Sequence, residues 1–146
     1  MSRHEPRQQL AREFGATDIV AGRGDKGVAR IKELSDGLCA HSVIEAVGTQ
    51  ESMMQAIRST REGGHVGFVD VAHGVELPGE EIFFSHVHLH GGPAPVRRFL
   101  PELIDLIWNR TINPGRVFDL ELPLDEAADG YEAMDQRQAI RVLLRS

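Results

Sequence analysis

The sequence is poor in cysteine, in aromatic residues and in long apolar runs. Its 146 residues include one cysteine, Cys39, one tryptophan and one tyrosine. A single cysteine excludes an intramolecular disulfide and a zinc site built from several thiolates of this chain. No apolar run approaches the ~20 residues that a membrane-spanning helix needs, and the polar N-terminus MSRHEPRQQL lacks the apolar region of a signal peptide. We therefore expect a cytoplasmic protein with no membrane partner.

The charge balance also excludes one class of partner. Acidic residues number 22 against 16 basic ones, which gives a formal net charge of −6. The two signs are interspersed along the chain, so no basic face is available for the phosphates of nucleic acid. We therefore expect no nucleic-acid partner. The length and the apolar content suffice for a sizeable core.

Segments with helical periodicity alternate with short, β-branched and apolar segments. The predicted helices cover 5–14, 25–34, 51–61, 96–110 and 124–134. The predicted strands cover 18–20, 42–47, 65–71, 82–90, 117–122 and 139–144. Strands that alternate with helices of this length predict βαβ units, parallel sheets and an α/β fold.

Several short segments carry a family resemblance because they follow one another in a characteristic order. They are LAREFGATD (10–18), VIEAVG (43–48), GGHVGF (63–68), the glycine pair at 91–92, INP (112–114), LPLDEA (122–127) and AIRVLL (139–144). In this order they resemble the C-terminal, coenzyme-binding half of medium-chain, zinc-dependent alcohol dehydrogenases. Two hallmarks of that family are absent from the chain, namely the G-x-G-x-x-G turn and the Cys and His ligands of the catalytic zinc.

The resemblance implies a partial Rossmann-type parallel sheet with flanking helices. This sheet lacks its first strands and is followed by a C-terminal strand-helix-strand segment. We expect residues 1–113 to form a truncated NAD(P)-binding domain and residues 114–146 to pack toward an absent catalytic domain. The chain is then a fragment of a longer enzyme, and the edge from which strands are missing should be exposed.

The choice of coenzyme rests on Ser2 and Arg3. In this fold the residue that ends the second strand meets the adenosine ribose, where an acidic residue accepts a hydrogen bond from the free 2′-hydroxyl of NAD. Serine and arginine instead suit a 2′-phosphate. The resemblance thus implies NADP, with NAD as the alternative. Arg7 or Arg23 offers a second positive charge.

The resemblance assigns further coenzyme contacts to the carboxyl ends of strands and to one arginine. These residues are Val47, Gly48, Thr49, Val69, Asp70, Val71, Leu89, His90, Gly91 and Arg141. It assigns no catalytic residue and no metal ligand to this chain, because the family's zinc ligands lie in the N-terminal half. We expect Thr49 to act also as a helix N-cap, and Glu45 to be a hydrogen-bonded structural carboxylate.

Three histidines lie in the predicted strand 82–90. Residues His86, His88 and His90 would share one face of such a strand, and His-x-His spacing is found in metal sites. The resemblance favours another role, in which this strand forms the sheet edge that pairs with its copy across the two-fold axis of a homodimer. His41, His65 and His73 are predicted to be isolated surface or loop residues.

The function implied by the resemblance is hydride transfer between a small alcohol or carbonyl substrate and a nicotinamide coenzyme. This chain would place the coenzyme and dimerise, and alone it would be inactive. Three alternatives stay open. They are a zinc-free quinone or enoyl reductase of the same superfamily, a non-catalytic dimerising module, and a metal-binding protein that uses the three histidines.

Overall fold

The computed structural model describes residues 4–146, which fold as alternating helices and strands. The elements are α1 (Glu5–Glu13), α2 (Gly24–Leu34), β1 (Ala40–Glu45), α3 (Gln50–Arg58), β2 (Thr60–Phe68), α4 (Gly79–Ser85), β3 (His88–Gly91), α5 (Val96–Trp108), β4 (Leu120–Pro123), α6 (Ala127–Asp135) and β5 (Val142–Arg145). Short 3-10 turns cover Pro114–Val117 and Leu124–Glu126. All strand pairs are parallel within the described residues, which confirms the predicted α/β class.

The elements form two compact units. Among the described residues, the first unit is Asp18–Ala94 and the second combines His4–Thr17 with Pro95–Ser146. The first contains a three-stranded sheet in the order β1-β2-β3, and the second a two-stranded sheet of β4 and β5. None of the helices described is long and apolar enough to cross a membrane.

The core of the first unit lies between α3 and the sheet. Apolar residues of α3 recur at helical spacing, and Ile57 and Val66 are 1% and 0% exposed. Met53, Met54 and Ala56 complete the buried cluster. The start of α3 is fixed by a capping box in which Thr49 and Ser52 bond each other's backbone N–H, so Thr49 is the N-cap that the sequence predicted.

The segment 51–61 was predicted as a helix that ends at a glycine pair, and this boundary is wrong. Helix α3 ends at Arg58 and β2 begins at Thr60. The glycines instead lie in a β-bulge, since the register changes from Ala40↔Thr60 to Ser42↔His65. A Cβ on Gly64 would lie 2.8 Å from the carbonyl oxygen of His41, so only glycine permits this approach of the two backbones.

The prediction of one strand over 82–90 is also wrong. Its first half belongs to α4, which two acidic residues in the first turn favour through the helix dipole. His86 ends α4 in the left-handed conformation with φ 51°, and only His88–Gly91 are extended. A short apolar run does not by itself distinguish strand from helix, which explains the error. Phe83, which lies within the segment predicted as a strand, is 78% exposed on α4.

Three smaller predictions need correction. Residues 18–20 form no strand, and the region predicted as strand 117–122 begins with a 3-10 turn and is extended only from Leu120. The predicted helix 124–134 likewise opens with a 3-10 turn before α6. The C-terminal strand-helix-strand order is nevertheless confirmed as β4-α6-β5, in which Gly130 of α6 packs close to Val142 of β5.

Candidate functional site

Glu45 organises the carboxyl ends of β1 and β2. Its side chain is 3% exposed, and its carboxylate accepts hydrogen bonds from the N–H of Val47 at 2.8 Å and of Gly48 at 3.1 and 3.2 Å. Its backbone carbonyl accepts the N–H of Val69 at 2.9 Å. One residue therefore fixes the turn after β1 and the first residue after β2. This confirms the hydrogen-bonded structural role predicted for Glu45.

The two turns approach each other closely at Gly48. Its φ is 74°, and a Cβ at this position would lie 2.7 Å from the carbonyl oxygen of Val71. Glycine is required here for a left-handed conformation and for this backbone contact. The structure therefore brings together two of the predicted groups, Val47-Gly48-Thr49 and Val69-Asp70-Val71, at one edge of the sheet.

The surface of this edge is apolar and exposed. Val47, Val69 and Val71 are 63%, 70% and 65% exposed. Asp70 is turned back onto its own turn, where its carboxylate accepts the N–H of Val71 at 2.8 Å. Exposed valines at the carboxyl ends of parallel strands are placed where open α/β sheets bind ligands.

A cavity of about 180 Å³ adjoins the turn after β1. Its lining includes Arg23, Glu45, Val47, Thr49 and Ser59. The Ser59 hydroxyl is buried without a hydrogen-bond partner. Pockets for whole drug-sized ligands are about 300–1,000 Å³, so this cavity suits only part of a dinucleotide. Arg23 supplies the exposed positive charge at its rim.

The end of β3 is the third predicted contact. Leu89 packs against the core of the first unit, whereas His90 is exposed and its Nε2 lies 3.3 Å from Nδ1 of His65. Gly91 pairs with Phe68 in the register of β2 and β3. The Phe68 ring covers Gly91, since a Cβ there would lie 2.0 Å from the ring.

The remaining predicted contacts lie elsewhere. Ser2 and Arg3 are outside the described residues. Arg141 belongs to the second unit, where its backbone N–H donates to the Asp119 carboxylate at 3.1 Å and its side chain lines a pocket with Phe118 and Tyr131. In the described part of the chain, no three His, Cys, Asp or Glu side chains are arranged to hold one metal ion.

One ion pair stabilises the first unit away from this edge. The guanidinium of Arg58 donates to both carboxylate oxygens of Glu81, at 2.7 and 3.0 Å. This hydrogen-bonded contact lowers the pKa of the Glu81 carboxyl and raises the pKa of Arg58. The pair joins α3 to α4 and therefore supports the segment that precedes β3.

Comparison with known proteins identifies the family. The profile described as zinc-binding dehydrogenase matches residues 1–109. A probable zinc-binding alcohol dehydrogenase of Mycobacterium tuberculosis is 35% identical over 150 residues, which cover 99% of this chain and 38% of that protein. The chain belongs to the zinc-binding dehydrogenase family. The resemblance drawn from the short segments is thereby confirmed.

Other members agree with this assignment. The zinc-binding dehydrogenase fold of this chain superposes on alcohol dehydrogenase TADH from Thermus sp. ATN1 with a TM-score of 0.88 and 28% identity, covering 98% of this chain and 43% of that one. An NADP-dependent isopropanol dehydrogenase of Entamoeba histolytica is 30% identical over 98 residues, or 64% of this chain and 27% of that protein. The chain thus spans about two fifths of the length of its first relatives.

Two features of this zinc-binding dehydrogenase chain were missed in the sequence. His65, predicted to be isolated, lies in β2 with its ring centroid 4.8 Å from that of His88. The parallel register of β2 and β3 creates this contact, and no local motif reveals it. The central position of Glu45 had a weak signal, a lone acid in an apolar strand, but its bonds to two turns depend on how the strands pair.

Proposed function

We propose that this chain places the coenzyme in a longer, NADP-dependent, zinc-type alcohol dehydrogenase. The observation that carries the proposal is the sheet edge at which Glu45 fixes both turns and three valines remain exposed. Family membership supports it, because the coenzyme supplies the hydride chemistry in such enzymes. In this proposal the chain is a fragment, and its residues 114–146 pack toward the catalytic part of the enzyme.

Each group at the edge has a binding role in this proposal. The turns of Val47-Gly48-Thr49 and Val69-Asp70-Val71 present backbone and apolar surface to the coenzyme. Leu89, His90 and Gly91 contact it through their backbone. Arg141, which belongs to the second unit, is assigned positive charge toward the pyrophosphate on the family resemblance alone. In this proposal the chain supplies neither the family's catalytic zinc ligands nor its proton relay, so alcohol turnover needs the rest of the enzyme.

The preference for NADP is proposed from positive charge. Ser2 and Arg3 suit a 2′-phosphate because arginine forms charge-assisted hydrogen bonds with phosphate oxygens. Arg23, which lines the cavity beside Val47, offers a second positive charge in this proposal. The name of the Entamoeba relative, an NADP-dependent isopropanol dehydrogenase, supports the same choice.

We also propose that the chain forms a homodimer through β3. This strand is the last in the order β1-β2-β3, so one of its backbone edges is available within the described sheet. Exposed strand edges tend to pair with another strand, and a two-fold axis would join two such edges. Sedimentation of the chain at micromolar concentration and neutral pH should show a dimer, and a stable monomer would contradict this part of the proposal.

Cofactor kinetics test the functional proposal. In the enzyme that contains this segment, kcat/KM with NADP⁺ should exceed that with NAD⁺ at least about tenfold, equivalent to about 1.4 kcal/mol. Arg3→Asp should abolish this preference. Arg30→Asp serves as the matched control, since Arg30 is exposed on α2 and pairs with Glu33. An unchanged ratio in Arg3→Asp would remove the assignment of the 2′-phosphate site.

The isolated chain offers a second test. Purified alone and supplied with zinc and either coenzyme, it should oxidise no alcohol, because its sequence lacks the family's catalytic zinc ligands and the glycine-rich turn. It should also bind NADPH weakly at most, as measured by nicotinamide fluorescence. Turnover that persists after host dehydrogenases are excluded would show that the catalytic site has been misplaced.

A further inference from the structure

Histidine rings from two neighbouring strands gather on one face of the first unit's sheet. His65 of β2 is paired in register with His88 of β3, and their ring centroids lie 4.8 Å apart. The His90 ring lies 5.5 Å from that of His65 and 6.4 Å from that of His88. Leu89, between the two histidines of β3, packs against the core. Because side chains alternate along a strand, His88 and His90 project from the opposite, exposed face.

Two of these rings already have the separation of ligands that share a metal ion. Nδ1 of His65 and Nε2 of His90 are 3.3 Å apart. At this distance one imidazole can donate an N–H to the other, and the tautomers decide which one donates. Imidazole nitrogens bind Zn²⁺ at about 2.0–2.1 Å, so two of them on a tetrahedral ion are about 3.3–3.4 Å apart. The separation therefore suits an ion, which replaces the hydrogen bond once both rings turn so that their lone pairs converge on it.

We propose that His65 and His90 form a chelate for a divalent transition-metal ion, with water in the remaining positions. Neutral imidazole suits Zn²⁺, Ni²⁺ and Cu²⁺ better than the hard ions Mg²⁺ and Ca²⁺. The site needs two protein ligands, which is consistent with the finding that no group of three is arranged for an ion in the part of the chain described. His88, stacked on His65, is the nearest further imidazole.

This chelate is separate from the coenzyme contacts and from the dimer edge. The coenzyme proposal uses the backbone of His90, whereas the chelate uses its ring nitrogen. Pairing of β3 with a second strand uses the backbone edge, and the rings project from the face of the sheet. Failure of one proposal therefore leaves the others standing.

Calorimetric titration of the full chain, stripped of metal with a chelator, tests the site. Zn²⁺, Ni²⁺ and Cu²⁺ should each bind at one ion per chain, and Mg²⁺ should not compete. His65→Ala and His90→Ala should each weaken binding at least about tenfold. His73→Ala is the matched control, since His73 is an exposed histidine in the loop after β2, and it should leave the affinity unchanged within about twofold.

Paramagnetic resonance of the Cu²⁺-loaded chain supplies a readout of the ligands themselves. Coupling to two imidazole nitrogens is expected in the wild-type chain and to fewer in His65→Gln, a variant that keeps a polar side chain at an exposed position. Circular dichroism verifies that each variant is folded. Equal affinity of the wild-type chain and the His65→Ala/His90→Ala double variant would overturn the proposal, as would equal weakening by His73→Ala.

Discussion

The two units use similar apolar sequence patterns to different effect. In the first, the apolar face of α3 is buried against the sheet, with Ile57 and Val66 almost fully enclosed. In the second, the apolar stripe of α5 is the more regular one, yet α5 contains no buried residue. Amphipathic spacing therefore predicts a helix and its apolar face, whereas burial depends on what packs against that face.

Truncating one apolar side chain on each helix should reveal the largest difference between α3 and α5. Ile57→Ala should lower the free energy of unfolding by about 2–5 kcal/mol, because it leaves a cavity under the sheet. Ile104→Ala makes the same change on the exposed stripe of α5 and should cost less than about 0.5 kcal/mol. Urea unfolding followed by circular dichroism measures both values. Equal losses would mean that the stripe of α5 is covered in solution.

Replacing a glycine by alanine should destabilise the fold more where the new Cβ meets backbone, at Gly48, than where it meets side chains, at Gly130. Gly48→Ala should cost about 1–3 kcal/mol for its left-handed conformation alone, and more because the new Cβ meets the carbonyl of Val71. Gly74→Ala isolates the conformational part, since Gly74 has φ 65° and no atom near its Cβ position. In the second unit, Gly130→Ala meets the side chains of Val142 and Leu122 and no backbone atom among its nearest neighbours, so it should change stability by less than about 1 kcal/mol. The midpoints of thermal unfolding of the three variants test this ranking. A Gly48→Ala variant that loses no more stability than the other two would contradict it.

Each unit also contains a carboxylate that accepts two successive backbone N–H groups. Glu45→Leu should cost about 1–3 kcal/mol, because the partly buried N–H groups of Val47 and Gly48 lose their acceptor, and Glu45→Gln should cost less. Asp119 is exposed and accepts the N–H groups of Ile140 and Arg141. Water can replace it, so Asp119→Ala should have the smaller effect. The midpoint of denaturant unfolding, at an unchanged slope, measures the cost of each substitution. An equal cost for Glu45→Leu and Asp119→Ala would contradict the prediction.

The smallest expected effect concerns ion pairs. Arg58 lowers the pKa of Glu81, so the pair stabilises the fold above the unfolded pKa of about 4.3 and this contribution is lost as pH falls through the lower folded value. Both side chains are partly exposed, so Glu81→Gln should cost less than about 1 kcal/mol at pH 7 and nothing in strong acid. Glu121, whose pKa Arg145 lowers in the second unit, is fully exposed and should matter less. The free energy of unfolding of the wild-type chain and of Glu81→Gln, measured against pH in low salt, provides the test. A difference between the two that persists in strong acid would contradict the prediction.

Much of the architecture follows from local sequence. The helices that became α1, α2 and α5 were predicted nearly to their ends, because helical periodicity is a local signal that acts over one or two turns. The segment 82–90 was mispredicted because its apolar run fits a strand and a short helix equally well. The choice between them depends on the fold around Ile82, Val87 and Leu89, which pack against the core.

The candidate site was predictable in part. The positions of Gly48 and Val71 near a ligand edge follow from parallel strands, whose carboxyl ends meet at one side of the sheet. The contact between them, the hydrogen bonds of Glu45 to two turns, and the meeting of His65 with His90 depend on strand register. Register is a property of the assembled sheet, which is why the local sequence did not contain these contacts.

The last residue of α5 has a practical consequence. Trp108 is the only tryptophan of the chain, and it is 84% exposed. Indole emission shifts to shorter wavelength when water is removed from the ring, so the intrinsic fluorescence of this protein reports the environment of α5 and little else. Any subunit, domain or additive that covers the end of α5 should therefore shift the emission of Trp108 to shorter wavelength, which can be measured without a label in an otherwise unaltered chain.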